Sequence, residues 1–381
     1  MPTRQAVVTY GVTTTAVATI AAAALLQPWR GAARDPVREA MVARPAAQRA
    51  VDRAVDVVFA IDTTGSMGGL IEGAKRTVWS IATHIRQTEP SADLRIGLVA
   101  YRDIGDDYVT RDFGLSSDLD AVFAELSGYR AAGGGDFPED VDAALDDVLH
   151  KMPWRDGASK LVFLVGDAPP ASRGDAPRFD ASAREAGERQ IIVNTIRCGG
   201  NGETAEAWQQ IAALGHGQFS TIEQDGGVQQ MATPYDARMS EISARIDRTA
   251  VIVGDDAART AYENHLAAAA AAPEPAKADR AAYYGAGAGR ASRSSSDLVG
   301  GVAAGTMSVE SVAPAALPED LRAMDQAKLK REVARRLVER DEAQAELARM
   351  AKQRDAYLKT HAAGKGGFDA TVKDAIDAQL R

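Results

Sequence analysis

Residues 60–69 read AIDTTGSMGG. Asp62, Thr64 and Ser66 form a D-x-T-x-S pattern, which puts one anionic oxygen and two neutral hydroxyl oxygens within a single turn. Gly65, Gly68 and Gly69 let such a turn fold tightly. Oxygen-only donors suit a hard divalent cation: Mg2+, Mn2+ or Ca2+. One turn cannot complete a six-fold shell, and two other segments offer oxygens. AAGGGDFPED (131–140) is a glycine-rich loop carrying Asp136, and LVFLVGDAPP (161–170) carries Asp167 just past an apolar run. Each alone has a plainer reading. An acid or hydroxyl ahead of a helix is an N-cap, and Asp136 followed by Glu139 reads as a capping-box-like helix start. Taken together, three acidic loops at one edge of a sheet make a cation site. Asp103, after the run LRIGLVAY (94–101), reads as a local surface charge pair with Arg102.

These loops need a scaffold that brings them to one edge. Short apolar runs at 55–61, 94–101, 160–166, 190–196 and 217–222 alternate with helix-like segments near 69–87, 118–129, 138–151, 178–189 and 203–214. A last helix is expected over 226–249. Strands alternating with helices argue for an α/β fold, a doubly wound and largely parallel sheet flanked by helices. The runs are nearly continuous in apolar residues, as strands buried on both faces must be. In such sheets ligands bind beyond the carboxyl ends of the strands, where Asp62 and Asp167 fall.

The totals bound the rest. The chain has 381 residues, 45% hydrophobic and 25% charged, with a formal net charge of −9. An acidic chain without a basic, aromatic-interleaved stretch is a poor nucleic-acid binder. Cys198 is the single cysteine, so no internal disulfide forms, and its apolar neighbours make it a small buried hydrophobe. Residues 6–26 are uncharged and mostly apolar, which marks 1–30 as a signal peptide or an N-terminal membrane anchor. Gly31-Ala32-Ala33 offers a small-residue cleavage site, whereas Arg30, Arg34 and Arg38 favour a cytoplasmic C-terminal side. The expected location is the periplasm or cell surface, with membrane association through residues 6–26. Residues 31–54 read as a linker and 251–316 as a low-complexity linker. Residues 317–381 read as a helical region, docked on its own domain or forming a coiled coil or partner-binding hairpin. Leu317-Pro318-Glu319-Asp320 suits a helix start there.

Over about 55–250 the chain resembles a von Willebrand factor type A domain with a metal-ion-dependent adhesion site. AIDTTGSMGG is similar to that family's D-x-S-x-S loop, with Thr64 in the first hydroxyl position. GLVAYRDIGDDYVTRDF, GGGDFPEDVDAAL and the strand followed by GDAPP resemble a bacterial branch of it. The resemblance implies a non-enzymatic protein-binding module that uses a divalent cation, most readily Mg2+. Asp62, Thr64, Ser66, Asp136 and Asp167 would surround the cation, and an acidic side chain of a protein ligand would complete the shell. The chain departs from the family in its second loop, which lacks the usual threonine, so Asp136 either substitutes for it or only caps the helix. A metal-assisted hydrolase and a scaffold with a decayed metal site are the alternatives. The five histidines are scattered and none sits in a nucleophile motif.

Overall fold

The structure is a computed structural model, and it describes residues 53–380 except 136, 172, 229, 287–292 and 362–365. Residues 1–52, with the expected leader, cleavage site and most of the first linker, lie outside the described residues, as does Asp136. All described residues belong to one compact unit, Pro36–Arg381.

Six strands form one sheet: β1 (Ala54–Asp62), β2 (Asp93–Tyr101), β3 (Thr110–Ser116), β4 (Ser159–Gly166), β5 (Ile191–Cys198) and β6 (His216–Ile222). The order is β3-β2-β1-β4-β5-β6, with every neighbouring pair parallel except β2 and β3. This is the expected doubly wound architecture. The sheet reverses direction of growth at β1, so the crevice at its carboxyl end opens between β1 and β4. β3 escaped the sequence reading because it is an edge strand whose residues are exposed or only half-buried, leaving Phe113 and Leu115 as its large apolar positions.

β1 is buried on both faces because it is central. Val57, Phe59 and Ile61 face one layer, and Val58 and Ala60 the other. The second layer comprises α3 (Val141–His150), α4 (Phe179–Glu188) and α5 (Gly202–Leu214). The first contains α1 (Gly68–Thr88) and α2 (Leu119–Gly128). The helix expected over 226–249 is α6 (Asp236–Asp247) alone. Gly226 and Gly227 take positive φ (+82° and +58°), and with Pro234 they keep the described residues between 223 and 235 a non-helical strap.

The linker expected over 251–316 is corrected by the structure. It holds α7 (Asp256–Ala271), α8 (Glu274–Ala286) and α9 (Leu298–Ala304). Ala276, Ala278 and Ala281 are fully buried, and Tyr283 and Tyr284 pack into the main core. Alanine is the best helix former, and its small side chain lets α8 approach α1 and α6 closely. A composition that looks too poor to bury surface therefore does so through close helix approach. Arg280 adds a buried ion pair to Asp120 of α2 and another to Asp247 of α6.

The C-terminal region begins with the short α10 (Glu319–Arg322) and continues as α11 (Gln326–His361) and α12 (Phe368–Gln379). α11, roughly 54 Å long at 1.5 Å per residue, lies against α6 and α8 of its own chain. Its apolar stripe of Leu329, Val333, Leu337, Leu347 and Ala351 is interrupted by buried Arg340 and Arg354. Arg340 pairs with Asp297, and Arg354 with Asp236 and Asp279. α12 inserts Phe368, Val372 and Ile376 into the main core, where Phe368 meets the ring of Phe59 at 6.1 Å. Among the described residues no helix is long and apolar enough to cross a membrane.

Candidate functional site

β1 carries two buried aspartates, and their surroundings differ. Asp56, near its start, receives Nε and Nη2 of Arg95 at 2.9 and 2.8 Å. It also receives the backbone N–H, Nε and Nη2 of Arg155 at 3.0, 3.0 and 2.7 Å. Burial pushes its carboxyl up, but the two arginines prevail and hold it below the ordinary value. Asp62, at the carboxyl end, is fully buried and has no ion-pair partner among the described residues. The backbone N–H and Oγ1 of Thr64 donate to its Oδ1 at 2.8 and 2.7 Å. Its Oδ2 is buried and, among the described residues, has no hydrogen-bond partner. Burial raises its pKa to about 7; Thr64 opposes the rise and the Asp167 charge adds to it.

The D-x-T-x-S turn is held in place by the second loop. The N–H of Ala132 donates to Thr63 O at 3.1 Å, and that of Gly65 to Gly133 O at 3.3 Å. The Thr64 and Ser66 hydroxyls are 3.4 Å apart. Arg102 is buried too: its Nε donates to Thr63 O and its Nη2 to Arg130 O, at 3.1 and 2.9 Å. Asp103 is likewise buried and pairs with Arg173. The surface-pair reading of Arg102 and Asp103 is thus corrected: both belong to the floor of this edge.

The capping-box reading of the second loop is also corrected. Asp140 caps α3, its Oδ1 accepting the Ala143 N–H at 2.9 Å. Glu139 instead forms a bridge with Pro170 of the third loop: its N–H donates to Pro169 O at 3.0 Å and its carbonyl accepts from Ala171 at 2.8 Å. Its side chain is buried, with Oε2 unpartnered among the described residues. A Cβ on Gly134, where φ is +77°, would stand 3.1 Å from both Glu139 Oε1 and Thr64 Cβ, so the two side chains converge there. Burial, then the charges of Asp62, Asp103, Asp106 and Asp167, raise the Glu139 pKa to about 8. Sequence reasoning missed Glu139 because it was absorbed into a helix start. The available signal was a second acid in the same glycine-rich loop.

Asp167 follows β4. Its carbonyl accepts from Thr204 Oγ1 at 2.9 Å, and its Oδ2 accepts from Gln224 Nε2 at 2.6 Å. The close packing needs Gly166: a Cβ there would lie 3.1 Å from Asp62 Oδ2 and would collide with the Tyr101 hydroxyl. The structure therefore brings Asp62, Thr64, Ser66 and Asp167 to one edge, and adds Glu139. Among the described residues no group of three or more His, Cys, Asp or Glu side chains is arranged as a ready metal shell, so any shell must draw on the hydroxyls. Cys198 is buried, and burial pushes its thiol up. Ile104, next to Asp103, and Phe137, in the second loop, are each 47% exposed, the large hydrophobic side chains that stand exposed among the described residues.

Residues 56–233 match the family model of the von Willebrand factor type A domain, and the strands and loops described above fill that span. This segment is thus similar to a domain of that type, a kind that generally mediates protein interaction. The chain is similar to Alpha-protein kinase vwkA of Dictyostelium discoideum, 32% identical over 118 residues, which are 30% of this chain and 18% of that one. It is similar to von Willebrand factor A domain-containing protein 7 of Rattus norvegicus, 34% identical over 131 residues, 33% of this chain and 13% of that one. The chain thus spans less than a fifth of these relatives. Among solved structures, the conserved hypothetical protein BatB from Bacteroides thetaiotaomicron aligns at 15% identity and a TM-score of 0.35, covering 44% of this chain and 90% of that one.

Proposed function

We propose that the chain is a divalent-cation-dependent, non-enzymatic protein-binding module whose cation is held by Asp62, Thr64, Ser66, Glu139 and Asp167. Asp136 remains in the set on its sequence position alone. One observation carries this reading. At opposite ends of one strand, Asp56 is neutralised by two arginines, whereas Asp62 is equally buried with one oxygen orphaned. A buried carboxylate is costly unless it is paired or binds a metal. The orphaned Oε2 of Glu139 repeats the demand beside it. The donors are all hard oxygens, which favours Mg2+, with Mn2+ and Ca2+ as alternatives. Bound there, the cation would supply an electrophilic position able to accept a carboxylate oxygen from a protein partner. The exposed apolar side chains of Ile104 and Phe137 would contact residues flanking that carboxylate.

The metal-assisted hydrolase is the weaker reading. His84 and His150 bond acids far from this edge, and His265 lies near Asp118. None bonds a hydroxyl of the D-x-T-x-S turn. The periplasmic or surface location rests on residues 6–26 and stays part of the proposal.

The test is thermal unfolding of the full chain after chelation and then with Mg2+, Mn2+ or Ca2+, beside Asp62→Ala. A cation-dependent rise in the wild type that vanishes in the variant is expected. No rise with any of the three cations would overturn the reading.

A further inference from the structure

The three carboxylates proposed to hold the cation are not equally constrained. Asp62 is locked by Thr64, whereas the bridge to Pro170 fixes the backbone of Glu139 and not its carboxylate. Among the described residues the Asp167 side chain is held by a single amide, that of Gln224, which arrives from a fourth segment that no sequence motif marked. Nε2 of Gln224 donates to Asp167 Oδ2 at 2.6 Å and lies 3.4 Å from Ser66 O. One side chain thus ties the third loop to the first.

The surroundings keep that amide in place. Gly199, with φ of +71°, follows β5 beside it, and a Cβ there would run into Gln224 Oε1. The strap that bears Gln224 lies along α1. A Cβ on Gly69 would stand 2.8 Å from Asp225 Cα, and one on Gly73 would stand 3.0 Å from the Val228 side chain. The Phe368 N–H, at the start of α12, donates to Gly226 O at 2.8 Å. Gln224 therefore projects from a segment seated on the helix that follows the D-x-T-x-S turn and pinned by the C-terminal helix.

We propose that Gln224 is a positioning residue of the cation site, orienting the Asp167 carboxylate by binding one oxygen and leaving the other for the cation or its water. This rests on the cation reading above. A neutral amide brings no charge to compete with a cation, and it fixes the carboxylate's rotation before binding. Losing such an outer partner costs roughly 10- to 100-fold in metal affinity.

The test is Mn2+ titration of the full chain, followed by the electron paramagnetic resonance of free Mn2+, for the wild type, Gln224→Ala, Gly199→Ala and Asp62→Asn. Asp62→Asn is expected to abolish binding. Gln224→Ala should weaken it roughly 10-fold or more, with the chelated protein's melting temperature unchanged because the side chain is exposed. Gly199→Ala should weaken it in the same sense by pushing the amide away while keeping it. Wild-type affinity in Gln224→Ala overturns the assignment. A matching loss of stability in the chelated variant also overturns it, by making the residue structural. Absence of Mn2+ binding in the wild type removes the cation reading itself, a separate outcome.

Discussion

Asp56 and Asp62 share a strand and a depth of burial but predict opposite mutational outcomes. Asp56→Ala strips two arginines of their partner and should cost about 3 kcal/mol, measured by chemical denaturation. Asp62→Asn keeps the acceptor for Thr64 and removes an unneutralised charge. In chelator at pH 8 it should be no less stable than the wild type. The pH dependence follows from the same residues. The folded-state pKa of Asp62 is about 7 and that of Glu139 about 8, both above the ordinary values of 3.8 and 4.5. Between those limits the folded protein holds protons that the unfolded chain has released, so stability falls as pH rises. The melting temperature of the chelated wild type should drop between pH 5 and pH 8, and Asp62→Asn should flatten part of that drop. A rise over the same window would contradict the buried-carboxylate account.

At the scale of elements, the loops are positioned by bonds between them rather than by their own conformations. The first loop bonds the second through Ala132 and Gly65, and the second bonds the third through Glu139. The strap meets the third through Gln224. The C-terminal helix belongs to this assembly, because Phe368 both packs on Phe59 and donates its N–H to the strap. Phe368 is 2% exposed. Phe368→Ala should cost about 3–5 kcal/mol by the cavity it leaves, seen as a lowered denaturation midpoint. A loss under about 1 kcal/mol would show α12 to be peripheral.

At the scale of the molecule, cation binding at the proposed site would be linked to folding. A ligand that binds only the native state stabilises it by about 2.7 kcal/mol at a free concentration 100 times its Kd. The wild type should gain about this much in saturating Mg2+ or Mn2+, and Asp62→Asn nothing, by calorimetry. Binding of a partner through a carboxylate should share that dependence. A peptide whose acid is replaced by its amide should lose affinity, and chelation should abolish binding of the acidic one.

The alternation of apolar runs and helical segments determined the doubly wound sheet, because strands buried on both faces leave a continuous apolar signature. Asp62, Thr64 and Ser66 were legible for a related reason: their spacing lies within one turn, and a turn is a local object. The edge strand β3 left little signature because it is barely buried. The alanine-rich α7 and α8 read as a linker because composition registers the size of side chains and not how closely helices approach. The arginines that interrupt the stripe of α11 look solvated until Asp297, Asp236 and Asp279 are brought to them. Glu139 and Gln224 depended on the fold most of all. Their relation to Asp62 and Asp167 is made by a bridge and an amide between loops far apart in the chain, and only the tertiary structure decides which buried carboxylates receive a neutralising partner.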